Sequence, residues 1–263
     1  MKERIIGAVI IAIVVIPLLL LGGYPFIIGV SLAAMFSYKE IIELKKAHKP
    51  LPLLIVVLGL VGLLVLLLSN LRGFDITYGL TYQRILFVIL LFLVPTVFYK
   101  EEDYTVRDAL YMIGTVFFIA LAYNLFIVLR NRGLNILLYL ISVSMFTDIF
   151  ALFGGMACGK HKMCPSISPK KTWEGAAVGL LVGTIAGVII YSCFVGSFSI
   201  QLILLTMILS IFGQIGDLVF SKIKRENDIK DFSNILPGHG GILDRLDSVI
   251  FVMLAYVTLL FIL

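Results

Sequence analysis

The sequence predicts an all-α, polytopic integral membrane protein of about nine transmembrane helices, with its N-terminus in the cytoplasm. Three observations predict it. Hydrophobic residues make up 60% of the chain and charged residues only 14%, against roughly 45–50% and about 25% in soluble domains. The apolar residues fall in runs near the ~20 residues that a bilayer core demands of a helix. Basic residues concentrate in alternate connections, the signature of cytoplasmic loops.

The nine runs are 5–22, 24–38, 51–69, 85–99, 109–129, 135–153, 175–195, 200–220 and 248–263. The first follows Lys2 and Arg4, as in a signal peptide. It is too long for one, lacks a small-x-small cleavage site and is followed by further spans, so a retained helix is expected. The second is short and continues into the amphipathic stretch 39–46; the fourth is short as well. Pro17, Pro25 and Pro95 start or kink helices, which neighbouring helices accommodate. No long linker, low-complexity segment or internal repeat is visible.

Orientation follows from the lysines and arginines. With the N-terminus inside, cytoplasmic segments hold Lys39, Lys45, Lys46 and Lys49, then Lys100 and Arg107, then the lysines of 154–174 and the basic residues of 221–247. The outer loops keep Arg72, Arg84, Arg130 and Arg132. Both long polar loops are therefore expected on the cytoplasmic side and the C-terminus outside. Residues 1–134 form a scaffold of five spans and residues 135–263 a catalytic region of four, together one membrane domain. The net charge of +5 reports orientation and contact with anionic headgroups, not nucleic acid. Cys158, Cys164 and Cys193 are too few for a disulfide framework. Cys158, His161 and Cys164 lack a fourth nearby ligand and the spacing of a zinc site, so they read as ordinary loop residues.

The chemistry is expected in the polar stretch 221–247. It carries bases, acids, His239 and the turn Pro237-Gly238-His239-Gly240-Gly241. Such glycines let backbone N–H groups approach a ligand. Asp244 and Asp247 follow at i,i+3, on one helix face. Two carboxylates, Asp148 and Asp217, fall inside predicted spans, where a charge is costly enough to imply a role. Steps of three and four through Asp217 give a polar stripe, Ser210, Gln214, Asp217, Ser221, Lys224, with Gly213 and Gly216 beside it to permit close approach of another helix or a ligand. Ser144 precedes Asp148 by one turn, and that stripe continues through Ala151 to Gly155. Asp148, Asp217 and Asp244 can then converge at the cytoplasmic interface. The other polar loop offers Ser166, Ser168, Lys170, Lys171 and Thr172, with Thr172 as N-cap of the seventh helix and Glu174 in its first turn. A helix N-terminus beside lysines is a phosphate site.

Ser221-x-Ile223-Lys224-Arg225, Lys230-Asp231-x-Ser233 and Leu236-Pro237-x-His239-Gly240-Gly241-Ile242-x-Asp244-Arg245-Leu246-Asp247 together resemble the signature of the phosphatidate cytidylyltransferases (CDP-diacylglycerol synthases). The stretch from Pro165 to Gly175 is similar to that family's second motif. The resemblance covers the C-terminal half; the first five helices are generic apolar sequence. It implies an enzyme of a bacterial inner membrane that joins CTP and phosphatidic acid, giving CDP-diacylglycerol and pyrophosphate at a site facing the cytoplasm. Mg²⁺ would bind Asp217 and Asp244, with Asp148 and Asp247 next, and a second cation can share the cluster. Lys170, Lys171, Lys224, Arg225 and Arg245 would hold phosphates, and His239, Gly240 and Gly241 would line the turn beneath the triphosphate. Ser166, Ser168, Thr172 and Ser221 are further substrate contacts. The partners implied are CTP, phosphatidic acid and membrane lipid, with a homo-oligomer left open and nucleic acid excluded. Two other readings compete. A CDP-alcohol phosphatidyltransferase would show an Asp-Gly-x-x-Ala-Arg motif, which is absent. An ion-coupled transporter would use buried Asp and Gln on glycine-broken helices, but would not need the dense acidic and basic loop.

Overall fold

A computed structural model describes the chain except for Met1, residues 71–81, Leu236, Pro237, His239 and Leu263. The expectations for Arg72 and His239 thus lie outside the described residues. Nine α-helices and one β-hairpin occupy most of what is described: α1 Lys2–Leu21, α2 Gly23–His48, α3 Leu53–Leu67, α4 Tyr82–Leu93, α5 Val106–Arg132, α6 Leu134–Cys158, β1 Lys162–Cys164, β2 Ser168–Thr172, α7 Trp173–Phe194, α8 Ile200–Glu226 and α9 Leu243–Ile262. Each expected apolar run coincides with a helix. Among the described residues, five helical segments are long and apolar enough to cross a membrane: Gly23–Lys45, Val106–Arg132, Leu134–Cys158, Trp173–Phe194 and Ile200–Glu226. Ala12–Leu21, Leu53–Leu67 and Tyr82–Val97 are shorter apolar segments. The hairpin departs from a purely helical reading; residues 154–174 carried no strand expectation. Pro17 lies within α1, and Pro95 sits in a short 3₁₀ turn, Val94–Val97, that ends α4.

The chain divides into two compact units. One comprises Met1–Arg132 with Phe232–Leu243, the other Gly133–Asp231 with Asp244–Leu263. The first unit thus takes in α1 to α5 together with the strap 232–243.

The core of the first unit is apolar: Ala34, Ile55, Leu63, Leu67, Val88, Phe92, Met112, Val116 and Ile119 are buried. Polar side chains tie its helices at their ends. Tyr38 donates to the Val56 carbonyl at 3.0 Å and Asn124 to the Leu67 carbonyl at 2.7 Å. Arg130 donates to the Leu19 and Leu20 carbonyls at 2.6 and 3.1 Å, which have no intrahelical partner at the end of α1. Two of the lysines read as cytoplasmic markers have a more specific task. Lys45 and Lys49 each lie 2.9 Å from the Asp108 carboxylate, which is almost fully buried at the start of α5. Thr105 adds its N–H and hydroxyl to the same carboxylate.

In the second unit, α6 and α7 touch backbone to backbone. A β-carbon on Gly175 would lie 2.5 Å from the Ala151 carbonyl oxygen, and one on Gly179 would lie 2.6 Å from the Thr147 carbonyl oxygen. Small residues permit this approach, which dispersion forces then stabilise without any solvent-driven term. Buried hydroxyl pairs hold α8 to α6: Tyr139 with Thr206 and Thr147 with Ser210, each at 2.8 Å. Gly213 and Gly216 on α8 face Val252, Phe251 and the Asp247 carbonyl, so the close approach they permit is to α9.

Replacing Gly179 by Ala should force α6 and α7 apart and lower stability by ~1–3 kcal/mol. Gly114→Ala, where an added β-carbon meets nothing within 4 Å, should be neutral. Thermal melting of the two variants in detergent compares them directly.

Candidate active site

The site is built on α8. Its polar stripe, spaced as the sequence requires, runs down one face from Ser210 to Lys224, and each member has a structural partner. Ser210 bonds Thr147. Gln214 donates to the Ala176 carbonyl at 3.2 Å. Ser221 donates to Asp217 Oδ1 at 3.2 Å, so its hydroxyl orients a carboxylate. Lys224 Nζ lies 2.7 Å from Asp244 Oδ1, a pair with side chains only 10% and 3% exposed.

The hairpin supplies the opposing cations. Pro165 and Pro169 flank its turn, where the Ile167 N–H donates to the Cys164 carbonyl at 3.1 Å. Lys162 pairs with Thr172 and Cys164 with Ser168 across the strands. Glu174 closes the base, accepting the backbone N–H groups of Lys160 and His161 and contacting His161 Nδ1 at 2.6 Å. Thr172 caps α7 by accepting the Gly175 N–H at 3.1 Å, as its spacing from the apolar run predicts. Lys171, next to that cap, reaches Asp217 Oδ2 at 2.7 Å. At the hairpin turn, Arg225 Nε donates to the Ile167 carbonyl at 3.3 Å.

Between hairpin, α6 and α8 lies a cavity of about 580 Å³. Asp148, Asp217, Gln214, Lys162, Lys170, Lys171, Ser168 and Thr172 give it polar walls; Leu152, Met156 and Met163 give it an apolar side. Leu152 and Met156 are themselves largely exposed. Asp148 and Asp247 both lie within electrostatic reach of Asp217. Asp247 Oδ1 accepts the Ser248 N–H at 2.8 Å. Asp148 on α6 and Asp217 on α8 thus line one cavity, with Asp247 of α9 in the electrostatic field of Asp217.

Other expected site residues stand elsewhere. Ser166 is exposed at the hairpin turn and Arg245 is exposed on α9; neither lines the cavity. Gly240 and Gly241 belong to the strap of the first unit. Ser144 is buried against protein and does not line the cavity. Among the described residues, no three His, Cys, Asp or Glu side chains are grouped to hold a metal ion by themselves. Mg²⁺ does not require that, since it keeps waters and substrate phosphates and takes one or two carboxylates from protein. Asp217, with Asp148 or Asp247, is a donor set of that kind.

A profile of the Cytidylyltransferase family matches residues 2–263. The chain belongs to that family. It is 39% identical over 263 residues to a phosphatidate cytidylyltransferase of Bacillus subtilis (strain 168), covering 96% of this chain and 95% of the relative. Phosphatidate cytidylyltransferases of Staphylococcus haemolyticus (strain JCSC1435) and Staphylococcus aureus (strain COL) are similar to it at 35% and 34% identity, each over 96% of both chains. The likeness therefore extends through the first five helices, beyond the C-terminal half that carries the motifs.

The two lysine–carboxylate pairs should respond differently to loss of the acid. Asp244→Asn removes the carboxylate from a buried ammonium and should cost about 3–5 kcal/mol of stability. Asp217→Asn breaks a pair whose side chains are 30% and 27% exposed, and should cost about 0–1 kcal/mol. Melting of both variants in detergent, against parent, gives the comparison.

Proposed function

We propose that this chain transfers the cytidylyl group of CTP to phosphatidic acid. A phosphate oxygen of the lipid attacks the α-phosphorus, the bond to the β-phosphate oxygen breaks, and pyrophosphate leaves as CDP-diacylglycerol forms. The observation that carries the reading is the cavity itself. It joins the Lys171–Asp217 contact to an apolar side of Leu152, Met156 and Met163, in a chain of the cytidylyltransferase family. A polar end suits the phosphates and an apolar flank suits acyl chains.

Both reactants are polyanions, so the barrier is dominated by repulsion and orientation rather than by covalent chemistry. Lys171 and Lys170, on β2, bring positive charge to the phosphates. Lys171 is already held by Asp217, so little reorganisation is needed when phosphate arrives. The nucleophile is an ionised phosphate and needs no general base. Asp217, Asp148 and Asp247 would hold Mg²⁺, which supplies further positive charge to the phosphates when bound. Asp244 serves first to fix Lys224, by the 2.7 Å bridge. Arg225, Arg245, His239, Gly240 and Gly241 remain proposed phosphate contacts on the strength of the motif.

The same reading takes all nine helices as spans, the N-terminus and both polar loops as cytoplasmic, and the membrane as the bacterial inner membrane. CTP then arrives from water and phosphatidic acid from the leaflet.

Purified protein in detergent, given labelled CTP, phosphatidic acid and Mg²⁺, should release pyrophosphate only when lipid and divalent cation are both present. Asp217→Asn should lower kcat on the order of 10²–10³-fold while the protein stays folded. Pyrophosphate release that continues without lipid, or full activity in Asp217→Asn, would sink the assignment.

A further inference from the structure

Glu40 lies in α2 and is fully buried. An ionised carboxylate is destabilising in such a place unless donors surround it. The strap of the same unit provides them. Ser233 Oγ donates to Glu40 Oε1 at 2.6 Å, the Ile242 N–H donates to Oε1 at 2.9 Å, and the Leu243 N–H donates to Oε2 at 3.0 Å. Ser233 in turn accepts the Ile235 N–H at 3.4 Å. Gly241 packs on the same group: a β-carbon there would collide with the Glu40 carboxylate and the Ser233 hydroxyl. Gly238 and Gly240 turn the strap through φ angles of 69° and 80°. One carboxylate therefore pins the strap at both its entry, Ser233, and its exit, Ile242 and Leu243.

That exit is the start of α9, whose first residue is Leu243. Backbone N–H groups at a helix start have no intrahelical acceptor, and here two of them are given to Glu40. Its negative charge also faces the positive end of the helix dipole. Asp244 and Asp247 follow directly in the first turns of α9. On α2 and α5, the buried Ser37 and Tyr123 hydroxyls bond each other, and Tyr123 lies within electrostatic reach of Glu40.

We propose that Glu40 is a positioning residue for the transfer reaction: it locks the 232–243 strap to α2 and fixes the backbone that leads into α9, the helix that carries Asp244 and Asp247. It acts through the strap and does not touch substrate. The function of the positioning rests on the cytidylyl-transfer reading above; the lock itself does not.

Both carboxylate oxygens accept, so an isosteric amide cannot replace them: Glu40→Gln turns one acceptor into a donor facing a donor. The full chain in detergent is compared as parent, Glu40→Gln and Ser233→Ala. Hydrogen exchange at Ile242 and Leu243 should speed up about tenfold or more in Glu40→Gln, with α6 and α7 unchanged, because only the local opening free energy falls. In the cytidylyl-transfer assay, kcat per folded molecule should drop roughly 10–100-fold while KM for CTP moves less than about threefold, as expected when alignment rather than binding is lost. Ser233→Ala removes one donor, keeps the carboxylate and should show the same pattern at about threefold; it decides the matter if Glu40→Gln does not fold. Unchanged exchange at Ile242 and Leu243, or kcat per folded molecule within about twofold of parent, overturns the proposal. A parent that releases no pyrophosphate from CTP and phosphatidic acid instead defeats the functional reading, and the exchange arm still judges the lock.

Discussion

Carboxylates in an apolar helical chain persist only where donors or cations sit at contact distance, because the medium offers no water to solvate them. Here each buried acid meets that condition in its own way. Asp108 takes two lysines and a threonine. Asp244 takes Lys224. Glu40 takes a serine hydroxyl and two backbone N–H groups. These contacts are directional and short, so each one also fixes the relative placement of the segments that supply it. Compensation of charge and construction of the site are the same act.

α8 shows how this works along one helix. Its stripe of polar residues is flanked by hydroxyl pairs deep in the unit and by lysine–carboxylate pairs toward its C-terminal end. The apolar remainder of the helix packs or faces outward. Lys171 comes to Asp217 from a hairpin whose own geometry depends on Glu174 at its base and the Thr172 cap beside it. A cation delivered by a short, internally bonded hairpin is better fixed than one on a free loop, and fixed charge is what phosphoryl-type chemistry exploits.

Much of this was legible in the sequence because periodicity and cost are both visible there. The nine apolar runs coincide with nine helices among the described residues, and the stripe through Asp217 follows from steps of three and four. The Thr172 cap was readable from one hydroxyl before an apolar run. Two acids were not readable. Glu40 lies in the amphipathic stretch 39–46 and Asp108 follows Arg107 in a charged connection, so nothing local marks them as buried; their partners are far away in the chain. The hairpin was missed for a related reason: Lys162–Thr172 is rich in proline and lysine, with little strand propensity, and is held by Glu174 and α8 rather than by its own composition. The tasks assigned to Gly213, Gly216 and Gly241 needed coordinates too. Spacing announces a close approach, but only packing reveals that the approaching groups are α9 and the Glu40 carboxylate.

The charge balance of the cavity explains why protein groups alone are a poor fit to two polyanions. Lys162, Lys170 and Lys171 line it, but so do Asp148 and Asp217, so the walls offer a formal surplus of one positive charge. A nucleoside triphosphate and a lipid phosphate bring several negative charges. Phosphate oxygens that share Lys171 with Asp217 leave that carboxylate less fully compensated, with Asp148 and Asp247 within electrostatic reach. Asp217 would hold a divalent cation there, and that ion would supply the positive charge that the cavity walls lack. The shortage of positive charge on the walls, set by their own acids and lysines, is therefore what favours a hard divalent cation such as Mg²⁺ at Asp217.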